Sequence, residues 1–387
     1  MNDFVAYLSA SPPLMLLVTL AVGVAGGLLG MKLKLPAGAL VGALLASMLF
    51  SVSTGIAFVP AWLKNVSMMV AGAAIAVDLD AEKVRRLRHS IGPALFILVG
   101  MLAINLILGI TIWKCSDVDL MTAMFATTAG GISDMPLIGE PLGADVPTVS
   151  LLQLLRLISA LIVLPMLLTR TVKAHQSRHQ AAAAQIAAAE VWQEEVKVEG
   201  ELDSDQPLPQ PAAPAIPAAP PKGNKELAWT VAAALAAGTI GQLTGVPAGC
   251  MLFAMAAVAI LNIATNRMKL TPRVKHIAQL ISGSYLGSCF TPDDLRQVGG
   301  LILPALISIV GYTVLSILLG RLVCRLFHVE ETTAYFATTP AGVADMALIA
   351  SDLGGEGADV ALFQMTRLIG VLWIAPWMCQ FVVWLLA

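Results

Sequence analysis

Charge is scarce in this sequence. Only 12% of its 387 residues are Asp, Glu, Lys or Arg, about half the quarter that soluble globular chains carry. Hydrophobic residues make up 57%, and the mean hydropathy is +0.81; such a chain is solvated mainly by lipid. The net charge of −2 leaves no basic excess to hold nucleic acid, and Lys and Arg collect in short loops. Histidine is also sparse, and His89, His276 and His328 stand without a second ligand at useful spacing. There is no HExxH, no phosphate-binding glycine loop, no nucleophile elbow and no zinc-ligand cluster, so no enzyme, metal centre or organic cofactor is expected. The five cysteines (Cys115, Cys250, Cys289, Cys324, Cys379) lack CxxC spacing and sit in or beside apolar segments, as small buried hydrophobes do. The first apolar stretch has no basic region before it, which predicts a span instead of a cleaved signal.

What the sequence has in abundance is apolar segments. They run at roughly 13–30, 37–53, 62–78, 91–113, 119–140 and 147–170, and again at roughly 227–243, 248–264, 275–290, 301–324, 331–351 and 358–386. Several approach the ~20 residues that cross a bilayer; the short third one needs tilt or local thinning. The second series repeats the first. Pro36 matches Pro247, Gly72 matches Gly283, Pro93 matches Pro304, Gly100 matches Gly311 and Pro165 matches Pro376, each pair separated by 211 residues. Between Phe125 and Ile158, 17 of 34 positions are identical at that offset, with Asp, Arg, Gln and Gly among them. Apolar composition alone cannot produce such matches, so the chain is a duplication. This gives three parts: a first transmembrane repeat (1–170), a hydrophilic Ala/Pro-rich linker (171–226) and a second transmembrane repeat (227–387). The linker opens on Lys173, His175, Arg178 and His179 and ends in a Pro/Ala run from Pro207 to Pro221 that favours extended chain.

Loop charges orient the repeats, because cytoplasmic loops are enriched in Lys and Arg. In the first repeat the basic loops follow segments one (Lys32, Lys34) and three (Lys83, Arg85, Arg86, Arg88). In the second they follow segment two (Arg267, Lys269, Arg273, Lys275) and the end of four (Arg321, Arg325), while the loop after three carries Asp293 and Asp294 against Arg296. The pattern has moved by one loop, so the repeats are expected to be inverted. Inversion needs an odd number of crossings, and one of the six segments must fail to cross. The fifth is interrupted by Thr127-Thr128-Ala129-Gly130-Gly131 and by Thr338-Thr339-Pro340-Ala341-Gly342. The expected fold is therefore an all-α, multi-pass membrane protein of two inverted repeats, each of about five spans plus a broken or re-entrant fifth segment. The linker is expected on the cytoplasmic side and both termini outside.

Backbone groups freed by a break must be buried in protein or line a wet cavity. Matching breaks in inverted halves are a sequence pointer to a transporter site. Asp134 and Asp345 follow the breaks, where a carboxylate can serve as a proton or cation site, position a substrate, or cap the following half-helix. Gln153 and Arg156, repeated as Gln364 and Arg367, lie three apart on one helical face. Each arginine can pair with an aspartate, meet an anionic substrate or reach an interface.

These residues carry a family resemblance. The duplicated TTxxG…DM…LI…Q..R block, preceded by Leu35-Pro36-Ala37-Gly38 in one half and Val246-Pro247-Ala248-Gly249 in the other, resembles the AbrB family of duplicated membrane proteins. Members of that family carry labels such as regulator or ammonia monooxygenase, though this chain has no metal-ligand set. The resemblance extends to the broader superfamily of cation/proton antiporters and anion transporters, and covers both repeats but not the linker. It implies a bacterial inner-membrane secondary transporter that moves a small solute with protons or Na⁺ by an elevator-like motion; the expectation that the solute is an anionic metabolite rests on Arg156 and Arg367, and weakens if the aspartates consume them. The lipid bilayer and the solute are then its partners, a homodimer is implied, and Na⁺ is the one bound ion to consider. The site carried over is Thr127, Thr128, Gly131, Asp134, Gln153 and Arg156, with Thr338, Thr339, Gly342, Asp345, Gln364 and Arg367. The family's Pro-Gly-Gly is Ala129-Gly130-Gly131 in one half and Pro340-Ala341-Gly342 in the other, so unequal contributions are expected. A membrane-embedded ligand sensor is the alternative from another class.

Overall fold

The computed structural model describes residues 11–33, 35, 37–79, 81–160, 224–246, 248–340, 343–352 and 355–386. These belong to one compact unit, Met1–Pro165 with Asn224–Ala387; a second unit, Met166–Gly223, holds most of the expected linker and lies outside the described residues. All regular structure among the described residues is helical. The first half contains α1 (Pro12–Lys32), α2 (Gly38–Thr54), α3 (Ala61–Ala76), α4 (Ala81–His89), α5 (Ile91–Cys115), α6 (Leu120–Thr127), α7 (Asp134–Gly139) with a 3₁₀ turn (Glu140–Leu142), and α8 (Val146–Ala160). The second contains α9 (Asn224–Leu243), α10 (Gly249–Thr265), α11 (Pro272–Ser288), α12 (Pro292–Gln297), α13 (Ile302–Phe327), α14 (Glu331–Thr338), α15 (Val343–Asp352) and α16 (Gly357–Leu386). The starts of α2, α3, α5, α6 and α8 recur 211 residues later in α10, α11, α13, α14 and α16.

Among the described residues four helices are long and apolar enough to cross a membrane: Pro12–Lys32, Ile91–Cys115, Gly299–Phe327 and Gly357–Leu386. A fifth such span is formed if Ala61–Ala76 and Ala81–Leu87, bent by 67°, are taken together. Gly38–Thr54, Val146–Ala160 and Gly249–Thr265 are shorter apolar helices. Along α13, Leu303, Leu306, Val310, Val314, Leu318 and Leu322 are all exposed. Their spacing of three or four residues makes one apolar stripe, suited to lipid and costly in water.

The halves meet through reciprocal contacts. α2 packs on α11, and α3 packs on α10. Both pairs close at a glycine: a Cβ on Gly283 would lie 2.5 Å from the Leu40 carbonyl, and one on Gly72 would lie 2.5 Å from the Met251 carbonyl. Such backbone approach is how small residues let membrane helices pack. Farther along, Ser51 donates to the carbonyls of Ser288 (3.3 Å) and Phe290 (2.8 Å). At the matching positions, Asn262 donates to the carbonyls of Val77 (3.0 Å) and Leu79 (2.9 Å). In each pair the chains advance together, so α2 runs parallel to α11 and α3 parallel to α10. The Asn262 bonds also bring the basic stretches around α4 and Arg267–Arg273 to the same end of the bundle.

Candidate functional site at the two helix breaks

The fifth segment is broken in both halves, as its glycines and threonines predict. α6 ends at Thr127, and Thr128 turns to an extended conformation (φ −64°, ψ 126°) before α7 begins. α14 ends at Thr338, and Thr339 does the same (φ −73°, ψ 128°). The threonine hydroxyls are buried and turned onto their own helix. Thr127 and Thr128 donate to the carbonyls of Ala123 and Met124 (both 2.8 Å), and Thr338 and Thr339 donate to those of Ala334 (3.1 Å) and Tyr335 (2.9 Å). This back-bonding competes with the helical ladder and helps end it.

The carbonyls left open at the ends of α6 and α14 are answered by α8 and α16. Gln153 Nε2 donates to the carbonyls of Phe125 and Thr128 (both 2.9 Å). Arg156 Nη1 donates to the Thr128 carbonyl (2.6 Å), and its Nη2 to Gln153 Oε1 (2.5 Å) and, more weakly, to the Gly130 carbonyl (3.4 Å). In the second half Gln364 Nε2 donates to the carbonyls of Phe336 (2.7 Å) and Thr339 (2.9 Å), and Arg367 Nη1 to that of Thr339 (2.8 Å). The Gln/Arg pairs therefore replace missing ladder bonds and put positive charge where the helix dipole is negative. The halves differ in detail: Gln153 Oε1 is taken by Arg156, whereas Gln364 Oε1 is buried without a hydrogen-bond partner.

The two breaks face one another. The two guanidiniums lie within each other's electrostatic reach, and Tyr312 within that of both. The Tyr312 hydroxyl donates to the Thr127 carbonyl, and its ring lies 5.4 Å from the Arg156 guanidinium carbon. Asn105 closes the group, its Nδ2 donating to Thr128 Oγ1 (2.9 Å) and its Oδ1 lying 2.7 Å from Thr127 Oγ1, where it shares that one hydroxyl proton with the Ala123 carbonyl.

Asp134 is placed differently from the arginine. It is buried, it opens α7, and its carboxylate accepts a hydrogen bond from the Ser133 hydroxyl (2.9 Å). The N-cap position belongs to Ser133, so capping is not its role. No ion pair joins Asp134 to any cation among the described residues, and Arg156 is occupied by carbonyls instead. Gly131 has a local reason to be glycine, since a Cβ there would collide with the Asp134 carboxylate. Asp134 and Ser133 line a cavity of about 540 Å³, walled by Ala71, Ala74, Ala278 and Ser282 on one side and by Val343, Ala361 and Met365 on the other. Such a volume suits a small molecule.

The AbrB family model, described as transition state regulatory protein AbrB, matches residues 3–171 and 58–383. The chain belongs to the AbrB family. With its apolar helices it is a multi-pass membrane protein. The protein named "Putative regulator AbrB" in Escherichia coli (strain K12) is 25% identical over 362 residues, which is 91% of this chain and 92% of that one. The "Uncharacterized protein YhjN" of Bacillus subtilis (strain 168) is 26% identical over 330 residues, 81% of this chain and 77% of its own length.

Of the twelve residues expected on this AbrB chain, Thr127, Thr128, Gly131, Gln153, Arg156, Thr338, Thr339, Gln364 and Arg367 form or bracket the breaks. Only Asp134 among the described ones lines the cavity. Gly342 lies outside the described residues, and Asp345 falls within α15. Sequence reasoning missed Lys275, Asp78, Gln279 and Ser282, which also line the cavity. Lys275 and Asp78 stand at its mouth, where a second cavity of about 480 Å³ shares them. Lys275 had counted only toward the loop charge. The signal that could have found it is the offset, because Lys64 stands 211 residues before it.

Proposed function

We propose that this AbrB-family chain is a secondary transporter, built as two inverted repeats of about five crossings, that moves a small charged metabolite together with protons or Na⁺. The observation that carries the reading is the cavity between the halves, lined by the buried Asp134, which has no ion-pair partner among the described residues and only the more distant charge of Lys275 across the space. A buried ionisable group without a partner is costly at membrane depth and points to a coupling ion. Inversion is supported by the packing. α2 runs parallel to α11, the counterpart of α3, and α3 runs parallel to α10, the counterpart of α2. Helices α2 and α3 are consecutive and joined by a short loop, so each half supplies both directions. The acidic loops agree: Asp119 and Asp145 share a cavity with Asp294 and Leu301, while their counterparts Glu330 and Glu356 share one with Ser90 and Pro93. By the positive-inside rule the end bearing α4 and Arg267–Arg273 is cytoplasmic, and the cavity mouth at Asp78 and Lys275 faces that side. Motion of the broken-helix elements against α2, α3, α10 and α11 would give alternating access.

The test is uptake by the purified full chain in proteoliposomes, with and without imposed proton and Na⁺ gradients, against a panel of organic anions, zwitterions and cations. Gradient-dependent flux of one class supports transport. Saturable binding with no flux under any gradient would favour a membrane-embedded sensor, the role suggested by the regulator name of the Escherichia coli relative.

A further inference from the structure

The cavity has a filled counterpart in the other half of the molecule. Lys64 Nζ donates to Glu140 Oε2 (2.7 Å), the Tyr285 hydroxyl donates to Glu140 Oε1, and the Lys64 ammonium lies 5.2 Å from the Tyr285 ring centre. Beneath them the hydroxyls of Ser67 and Ser282 are hydrogen-bonded at 2.9 Å. The lysine is nearly buried and Glu140 keeps 31% of its side chain exposed, so this is a partly covered ionic cluster between α3, α11 and the 3₁₀ turn after α7.

Shifting each member by 211 residues gives Lys275 for Lys64, Ser351 for Glu140, Ala74 for Tyr285, Ala278 for Ser67 and Ala71 for Ser282. Lys275, Ala74, Ala278 and Ala71 all line the cavity. The lysine is kept, while its carboxylate partner, its aromatic cover and the hydroxyl pair are replaced by smaller residues. Ser351 offers no substitute, since its hydroxyl donates back to the Ala347 carbonyl (3.0 Å). Lys275 makes no hydrogen bond or ion pair among the described residues; it is exposed at the edge of the space, with Asp78 and Asp134 within its electrostatic reach. One half therefore holds a lysine, a carboxylate and a phenol ring in contact, and the other holds the lysine beside an open space of about 540 Å³.

We infer that the ligand of this cavity is a small aromatic monocarboxylate, its carboxylate on Lys275 in the manner of Glu140 on Lys64, and its ring over Ala71, Ala74 and Ala278 in the manner of Tyr285. The inference rests on the transport reading for the site's purpose, and names its substrate class. A lysine–carboxylate contact is a charge-assisted hydrogen bond, and the alanine floor gives a flat ring an apolar bed. The charged side chains facing the space are Lys275, Asp78 and Asp134, with His276 in the adjoining cavity. A further carboxylate outnumbers the lysine, so the anion enters with a proton or Na⁺ at Asp134, and the two ligands strengthen each other's binding. The coupling is therefore symport.

The probes are benzoate, 4-hydroxybenzoate and phenylacetate, with benzamide and benzylamine as uncharged and cationic controls. Binding is measured on the detergent-purified full chain and uptake in proteoliposomes. Wild type should bind one or more of the carboxylates and neither control. Lys275→Met should weaken that binding at least about tenfold, the usual scale for losing a hydrogen bond to a charged group, while Lys275→Arg should keep most of it. The double variant Ala74→Tyr/Ser351→Glu rebuilds an arrangement the fold already holds at Lys64; it should stay folded and lose binding. Carboxylate binding that persists in both Lys275→Met and the double variant would overturn the inference, as would a wild type that takes up only cations. Flux of a solute insensitive to all these variants removes the proposed ligand and leaves transport standing. Lys275-dependent carboxylate binding with no flux under any gradient keeps the ligand and removes transport.

Discussion

Replacing Asp134 and Arg156 separately and together tests whether the break is held by an ion pair or by backbone capping. Arg156 makes two short hydrogen bonds, to the Thr128 carbonyl (2.6 Å) and Gln153 Oε1 (2.5 Å), and one long one to the Gly130 carbonyl (3.4 Å). Each bond to a charged group is worth roughly 1.5–3 kcal/mol. The Thr128 carbonyl keeps its bond from Gln153, however, and removing a buried guanidinium recovers its desolvation cost. Side-chain hydrogen bonds inside membrane proteins also measure lower, about 0.6 kcal/mol on average. Arg156→Met should therefore cost about 1–4 kcal/mol. Asp134 has no ion-pair partner among the described residues, and Asn can accept the same Ser133 hydroxyl bond. Asp134→Asn should fall within about 1 kcal/mol of wild type, or stabilise, because it removes a buried charge. The assay is unfolding in mixed SDS micelles followed by circular dichroism, arranged as a double-mutant cycle. Additive effects are expected. A coupling above about 1 kcal/mol, with Asp134→Asn as costly as Arg156→Met, would show that the two side chains are paired and that the capping argument is wrong.

Other substitutions probe the rest of the frame. Asp134→Asn should abolish gradient-driven uptake in proteoliposomes while leaving the unfolding curve nearly in place; unchanged coupling would remove Asp134 from the cycle. Glu140→Gln strands the nearly buried Lys64 and should cost about 2–4 kcal/mol, whereas Lys64→Met/Glu140→Gln together should recover much of that loss in the same unfolding assay. Gly283→Ala would set a methyl 2.5 Å from the Leu40 carbonyl and 2.9 Å from Ala43 Cβ, so about 1–3 kcal/mol is expected; a neutral outcome would mean the helices separate easily there. Asn262→Ala removes donors to two loop carbonyls, and amide exchange should quicken around Leu79 before it does elsewhere in α3.

Much of this architecture was readable from the residues because duplication doubles the signal. A single Thr-Thr-x-x-Gly run is ambiguous, but two in one register locate both breaks, and Gln153/Arg156 with their copies locate the helix that repairs them. Helix starts were legible for the same reason, with Gly38 and Gly249, or Leu120 and Glu331, opening matching elements. The number of crossings was less legible. Among the described residues four helices pass a span's length and hydropathy, because α3 breaks sharply before α4 and the α2 and α10 helices have 17 residues each. The role of the arginines was open for a physical reason: a buried guanidinium serves a carboxylate, a carbonyl or a ligand equally well, and only coordinates show which acceptor is near. Lys275 was hidden by its neighbours. Flanked by Arg267, Lys269 and Arg273, it reads as loop charge until its alignment with the buried Lys64 is noticed.

Tyr312 has a consequence for how such a duplicated chain can diverge. Its hydroxyl reaches the Thr127 carbonyl, and its ring stands beside Arg156 and within electrostatic reach of Arg367, where the two halves converge. The position 211 residues earlier is Met101, which has no hydroxyl to return the contact. Away from that point each half keeps its own copy of a contact, as Gln153 with Arg156 and Gln364 with Arg367 do. At it, one side chain answers a carbonyl of the opposite half, and its copy is under no demand to match it.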